Sequence, residues 1–311
     1  MMPDIVIAFF AFGLVAGLLK SDLKVPHSIY ETLSILLMLV LGLKGGLALH
    51  GQVTGQLLLG LLPVALLGFI LPLLCYPILR HLVKLRTDDA VSIAAHYGSV
   101  SAGTFALVLA MVERSGLPVA AQTTLFLVLL ELPAIIIMLW LHRRLTGEGS
   151  AGGIWRESLT SRGVLLLGGG VLIGYSYGPV GLEPIAPALL GGFKTMLALF
   201  LLEMGLCTAK ACVPLPLAQW RLLMFAALMP FLLAWSGIGT ALLLDLPQGS
   251  AVILAGLTAS ASYIAAPAAI RAAIPSANIG LAMLAALGIT FPVNVLIGLP
   301  VYQHWVSWFY P

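Results

Sequence analysis

The chain has 311 residues, 60% hydrophobic and only 9% charged, with a mean hydropathy of +1.08. Soluble domains carry roughly 25% charged residues, so there is too little polar surface here to coat a water-soluble globule. The formal net charge of +3 is scattered over short loops, which excludes the basic face that nucleic-acid binding requires.

A helix needs ~20 mostly apolar residues to cross the bilayer core. Ten stretches qualify or come close, at about residues 4–19, 28–49, 56–79, 90–112, 119–141, 164–177, 185–208, 222–244, 250–270 and 278–306. No basic n-region precedes the first, which begins after Met1-Met2-Pro3, so it reads as a span and not as a cleavable signal. The sixth is short and Gly-rich (Gly168-Gly169-Gly170), and the tenth is long enough to tilt. The expected fold is an all-α polytopic membrane protein of ten transmembrane helices.

Charge placement tests that number. With ten spans, the loops after the odd-numbered spans share one side of the membrane. That side holds Lys20, Lys24, Arg80, Lys84, Arg86, Arg143, Arg144, Arg156, Arg162, Lys210, Arg221 and Arg271, twelve of the fifteen basic residues. The other side holds Arg114, while Lys44 and Lys194 lie in apolar runs. The positive-inside rule makes the twelve-residue side cytoplasmic and puts both termini outside.

One long polar segment interrupts the pattern, around residues 143–162 with a Gly/Ser-rich centre. It reads as a cytoplasmic linker between a first five-span repeat, 1–142, and a second, 163–311. Five spans per half force the second half to insert upside down. Leu43-Lys44-Gly45-Gly46-Leu47 and Leu202-Glu203-Met204-Gly205-Leu206 share L-x-x-G-L on the second span of each half. Inverted repeats of this kind are a transporter signature.

The fourth span of each half carries small polar residues: His96-Tyr97-Gly98-Ser99-Val100-Ser101-Ala102-Gly103-Thr104, and Thr258-Ala259-Ser260-Ala261-Ser262-Tyr263-Ile264-Ala265-Ala266-Pro267. Polar backbone at membrane depth is tolerated where it is buried in protein or lines a watery site. Helices four and nine are therefore expected to be broken, with Pro267 contributing to the second break. A helix N-terminus carries about half a positive charge and binds small anions. Ser99, Ser101, Thr104, Ser260 and Ser262 would add hydroxyl donors, and Tyr97 and Tyr263 a substrate hydrogen bond or a gate. The alternative role for such residues is close helix packing.

Ionisable groups at membrane depth face protein or a cavity. Glu131, with Asn294 as its repeat-related partner, is the candidate cation or proton site. Lys44 and Glu203 hold equivalent places and are expected to pair structurally. His96 is a hydrogen-bonding group or a relay. Cys75, Cys207 and Cys212 read as packing residues with no metal-ligand spacing. No paired His ligands, Walker loop or G-x-S-x-G elbow appears, so an enzyme is not expected.

These stretches, with Glu131-Leu132-Pro133-Ala134 and Arg271-Ala272-Ala273-Ile274-Pro275-Ser276-Ala277-Asn278, resemble the sodium-dependent bicarbonate transporter family, best known from cyanobacteria. The resemblance runs in order over nearly all ten spans. It implies a core domain moving against a scaffold, a homotrimer in the bacterial inner membrane, and an anion site between the breaks with sodium as coupling ion. The cyanobacterial members carry a Ser-Ser-Ser-Asp-Ile-Ser-Gly-type sequence where this chain has Ser260-Ala261-Ser262-Tyr263-Ile264-Ala265-Ala266. Tyr263 thus replaces an acid and Ala265 a hydroxyl, which weakens a sodium site there. Their long cytoplasmic insertion is reduced to the linker, which argues against a PII-like regulator.

The expected function is secondary transport of a small anion, bicarbonate first, coupled to sodium or to a proton through Glu131. The alternatives are a different small organic anion, an anion channel, or a sensor without flux.

Overall fold

A computed structural model describes residues 5–51, 54–147, 162–212 and 217–310. In chain order the helices are α1 (Ile5–Leu18), α2 (His27–Leu49), α3 (Gly55–Pro77), α4 (Thr87–Gly98), α5 (Ala102–Arg114) and α6 (Phe126–Thr146). They continue as α7 (Arg162–Leu182), α8 (Ala186–Leu189), α9 (Phe193–Cys212), α10 (Trp220–Leu243), α11 (Gln248–Thr258), α12 (Ala265–Ala273) and α13 (Ile279–Ser307). No strand occurs among the described residues. Eight stretches are long and apolar enough to cross a membrane, and the shorter α1 and α11 are also apolar. Most of the expected linker, 148–161, lies outside the described residues; its two ends are helical, closing α6 and opening α7.

Two spans differ in detail from expectation. The sixth stops near residue 177 as expected, but α7 as bounded above joins it, across a non-helical Gly178 (φ 61°, ψ −171°), to a second short helical piece that ends at Leu182. Only glycine tolerates that backbone region, and a Cβ there would strike the His50 ring. The tenth, α13, contains two wider π-helical stretches, Leu284–Thr290 and Asn294–Gly298. Pro292 and Pro300 each remove an N–H donor from this helix, which favours irregular bonding of that kind.

Burial separates the helices by role. The most apolar window of Thr87–Arg114 is entirely buried within the protein, and every α11 residue from Gly249 to Thr258 is buried. A helix enclosed on all sides belongs to the core of an assembly. By contrast α3 and α10 each present a lipid-type face, with Leu59, Leu62, Leu66, Leu228 and Leu232 exposed.

Small residues decide which helices approach closely. Lipid chains are as apolar as Leu, so helices in a membrane associate through backbone proximity and packing, not through a hydrophobic drive. Here α1 lies along α9 and α2 along α7. A Cβ on Gly205 would sit 2.2 Å from the Phe10 carbonyl oxygen, and one on Gly46 2.2 Å from that of Val171. These two glycines are the ones shared by the L-x-x-G-L motifs. Gly205 lets α9 press on α1, and Gly46 lets α2 press on α7.

The starts of α4 and α11 are clasped in matching ways. Asp89 Oδ1 accepts from the Asn278 N–H (2.8 Å) and Asp88 Oδ2 from the Ser276 hydroxyl (2.8 Å). Asp88 Oδ1 also pairs with His142 Nε2 at 3.1 Å. At α11, the Gly249 N–H donates to the Pro118 carbonyl (2.9 Å), and Ser250 Oγ accepts from the Ala120 N–H (2.8 Å). Each clasp joins the start of a buried helix to a loop that leads into a long one, α13 for Asp88 and Asp89 and α6 for Gly249 and Ser250. Carboxylates in a first turn also complement the helix dipole.

Gly205→Val should therefore separate α1 from α9, at a cost of roughly 1–3 kcal/mol or more from overpacking. Gly60→Ala, with nothing within 4 Å of the added carbon, should be silent. Thermal melting of the purified protein in detergent checks both; equal midpoints for the two variants would refute the close contact.

Candidate functional site

Helix α4 ends at Gly98 because the chain next turns into conformations no helix can hold. Ser99 caps at φ −78°, ψ 2°, Val100 has a positive φ of 48°, and Ser101 is extended (φ −125°, ψ 119°). A β-branched residue at positive φ is a strained position. Ser101 then opens α5, its Oγ accepting from the Thr104 N–H at 3.0 Å, as an N-cap serine does. In the other half α11 ends at Thr258. Ser262 Oγ accepts from the Ala266 N–H at 3.2 Å at the head of α12. Pro267 sits in that first turn, where its missing N–H costs nothing, so it starts a helix instead of breaking one.

The two breaks touch, and each satisfies a donor of the other. The Ser101 N–H donates to Ser260 Oγ (2.8 Å), and the Ser262 N–H donates to the His96 carbonyl (2.7 Å). Ser260 in turn donates to the Leu257 carbonyl at 2.7 Å. The N–H groups of Ala102 and Gly103 stand at the head of α5, where a helix offers no internal acceptor.

Around this junction lie buried polar atoms without a hydrogen-bond partner: Ser92 Oγ, His96 Nε2, Ser99 Oγ, Thr104 Oγ1 and Tyr263 OH. An orphaned buried polar group costs about 1–3 kcal/mol. Several at one place mark a site that a polar ligand or water would complete. The Tyr263 phenol hangs over the first turn of α5. A Cβ on Gly103 would lie 2.0 Å from its oxygen, so glycine is what admits it. The ring is held by Phe200 (6.4 Å between centroids, stacked) and Phe291 (5.3 Å, edge-on), and Phe200 stacks on Tyr30 at 5.7 Å. Beside this aromatic stack is a cavity of about 290 Å³, lined by Tyr30, Glu31, Ser34, Tyr263, Pro267 and Arg271 among others. Of these lining residues Arg271 is exposed.

Other expected residues are placed differently. Asn294 is fully engaged: its Nδ2 donates to the Ala259 carbonyl and its Oδ1 accepts from the Tyr302 hydroxyl, both at 2.8 Å. It holds the end of α11. Tyr97 bonds Thr290 Oγ1, which itself donates to the Ala226 carbonyl, so Tyr97 is a clamp. His96 anchors its Nδ1 on the Ser92 carbonyl at 2.7 Å. Glu131 is buried on α6 with its Oε1 unpartnered. Gly98, at the end of α4, packs against Ala134, one turn along α6 from Glu131.

The expected Lys44–Glu203 pair does not form. Lys44 Nζ meets Glu113 Oε1 at 3.3 Å and lies 4.7 Å over the Phe193 ring. Glu203 Oε1 accepts from the Cys207 thiol at 3.2 Å, and its Oε2 has no partner. Equivalence by a pseudo-twofold relates two positions without bringing them together. Sequence reasoning also passed over Phe200, which no local pattern distinguishes, and over the Asp88, Asp89 and Ser250 clasps. Acids and a serine at helix starts were a legible signal for the latter. No group of three or more His, Cys, Asp or Glu residues that could hold a metal occurs among the described residues.

The sequence profile of the Na+-dependent bicarbonate transporter superfamily matches residues 5–307. The chain belongs to that superfamily. No individual curated protein matches it. Membership makes the chain a transporter and not an enzyme, in keeping with its multiple apolar helices.

Two outcomes are expected here. Asn294→Leu leaves the Ala259 carbonyl and Tyr302 hydroxyl unpaired and should lower stability by roughly 2 kcal/mol or more, read as a drop in melting midpoint. Gly103→Ala should lower substrate binding by displacing the Tyr263 phenol, and adding Tyr263→Phe should restore part of the loss. A double variant no better than Gly103→Ala would remove the steric link between them.

Proposed function

We propose that this superfamily member is a cation-coupled secondary transporter of a small monovalent anion, bicarbonate first. Its substrate site would be built from Ser99, Ser101, Thr104, Ser260, Ser262 and Tyr263. The observation that carries this reading is the docking of two helix breaks on each other, with the head of α5 surrounded by buried hydroxyls that lack partners. No Lys or Arg is engaged at these hydroxyls in any described contact, so the attraction for an anion comes from helix dipole and neutral donors. Such a site suits one negative charge.

The proposed architecture is ten crossings in two inverted five-helix repeats, with α4–α5 and α11–α12 each counted as one broken crossing. The matching roles of Gly46 and Gly205, and of the Asp89 and Ser250 clasps, support it. So do the reciprocal pairs α1–α9 and α2–α7. In this reading α1, α2, α7 and α9 form a scaffold, and α3 to α6 with α10 to α13 form a mobile core. The resemblance to cyanobacterial members adds a trimer in the bacterial inner membrane, with both termini outside by the charge rule. The cavity at the Arg271 end, between α2 on one side and α12 and α13 on the other, then serves as the cytoplasmic vestibule of an elevator-like cycle. Lys44–Glu113 bridges scaffold and core at the opposite end. Its side chains are 25% and 42% exposed, and such partly exposed pairs contribute about 0–1 kcal/mol, weak enough to part on each cycle.

Uptake of a monovalent anion against an inside-negative potential opposes ~2.3 kcal/mol per 100 mV, so a cation must accompany it. Glu131 is the proposed site for that cation, sodium or a proton, beside the carbonyl end of α4. Labelled bicarbonate uptake into proteoliposomes, with imposed sodium or proton gradients, tests the reading. Wild type should show saturable uptake and counterflow driven by one of the gradients. Ser101→Ala should reduce uptake at least several-fold, and Glu131→Gln should abolish gradient-driven accumulation while sparing counterflow. Unsaturable flux would favour a channel, and full activity of Ser101→Ala would remove that residue from the site.

A further inference from the structure

A second feature lies far from the breaks, on the outward face of α10. Pro77 ends the regular part of α3, and the chain continues as a π-turn over Ile78–Leu82, with the Val83 N–H reaching back to the Ile78 carbonyl at 3.0 Å. Turns of this wider kind gather at functional positions. Between it and α10 runs a trough of about 370 Å³ with an apolar floor of Leu82, Met224, Phe225, Leu228, Met229 and Leu232. At its mouth stands Arg221, with its guanidinium 5.4 Å from the centroid of the Trp220 ring. From Arg221 to Leu232 the helix rises about 16 Å at ~1.5 Å per residue. That is the depth of one leaflet of a hydrocarbon core ~30 Å thick.

Charge and shape agree at this place. Arg221 joins none of the ion pairs among the described residues. His81 and Lys84, both exposed, flank the turn residues that line the trough. An Arg–Trp pair at the end of an apolar helix face lies at headgroup level in a bilayer. A planar guanidinium with no carboxylate is suited to grip phosphate through two N–H donors. Methionine side chains, flexible and polarizable, adapt to an irregular chain.

We infer that this trough is a binding site for an anionic phospholipid, its phosphate held by Arg221 and one acyl chain laid against Met224, Leu228 and Leu232. The site is independent of the substrate junction. It ties the α3–α10 face to the leaflet in which the basic loops lie, where anionic lipids attract juxtamembrane Arg and Lys.

The test uses the full-length protein, stripped of lipid in mild detergent, with dioleoylphosphatidylglycerol or dioleoylphosphatidylcholine added back. Melting midpoints and the lipid retained in native mass spectra are read together. Phosphatidylglycerol should raise the wild-type midpoint by several degrees and be retained, and phosphatidylcholine should do much less. Arg221→Gln, unchanged without lipid, should lose at least half of that shift, and Leu228→Trp, which fills the trough, should lose most of it. Equal responses to the two lipids, or a full response from Arg221→Gln, would overturn the site. A change in particle mass on Leu228→Trp would assign the trough to a second copy of the chain and overturn it equally.

Discussion

A helix that ends inside a membrane leaves backbone donors and acceptors where no water can reach them, and every such group costs several kcal/mol if left alone. This chain ends four helices at that depth. The structure meets the demand by placing the breaks face to face, so that the Ser101 N–H finds Ser260 and the Ser262 N–H finds the His96 carbonyl. Neither break could exist in isolation. Their dependence on each other explains why α4, α5 and α11 are buried on all sides, since water or lipid entering there would compete for the same bonds.

That requirement sets the rest of the packing. To hold two half-helix pairs in register, the surrounding helices must be fixed at their ends and close along their lengths. The clasps at Asp89 and Ser250 fix the starts of α4 and α11. Gly46 and Gly205 allow backbone-to-backbone approach of α2 to α7 and of α9 to α1. Asn294 completes the frame by holding the last carbonyl of α11, with Tyr302 satisfying its other face. Among the described residues, five of the eight buried side-chain atoms without a partner lie around one junction.

Much of this was legible in the sequence, and the part that was not has a physical reason. Ser and Gly inside apolar runs announced the breaks, because polar backbone in lipid has few other uses. Basic residues in alternate loops predict ten crossings, whereas eight described stretches are long and apolar enough to cross and α1 and α11 are shorter. The L-x-x-G-L pair pointed to Gly46 and Gly205, each at a close helix approach. Contacts between distant helices were not legible. Lys44 and Glu203 hold the same place in the two L-x-x-G-L stretches, yet Lys44 meets Glu113, because an ion pair depends on which helices pass within reach and not on a shared sequence pattern. Pro267 reads as a breaker in the sequence, but with Ser262 accepting the Ala266 N–H it lies in a first turn. Gly103 and Phe200 carried no signal at all, since only the approach of Tyr263 gives them a role.

The inequality between Asn294 and Glu131 sharpens the question of coupling. Asn294 lies at the last carbonyls of α11, and Glu131 sits one turn along α6 from Ala134, which meets Gly98 at the end of α4. An amide can donate to such an end, and Asn294 does so at 2.8 Å to Ala259. A carboxylate cannot donate, and near the negative pole of a helix it is repelled most strongly where the dielectric is low. Glu131 becomes compatible with its surroundings when it carries a proton, which turns it into a donor, or when a sodium ion bridges it to the carbonyls. Under the proposed coupling role that carboxyl is satisfied only when loaded, whereas Asn294 is already engaged on both sides in this structure. An anion at the head of α5 and a cation beside Glu131 would then offset each other across the same short break, and the charged substrate would cross with its counter-charge already in place.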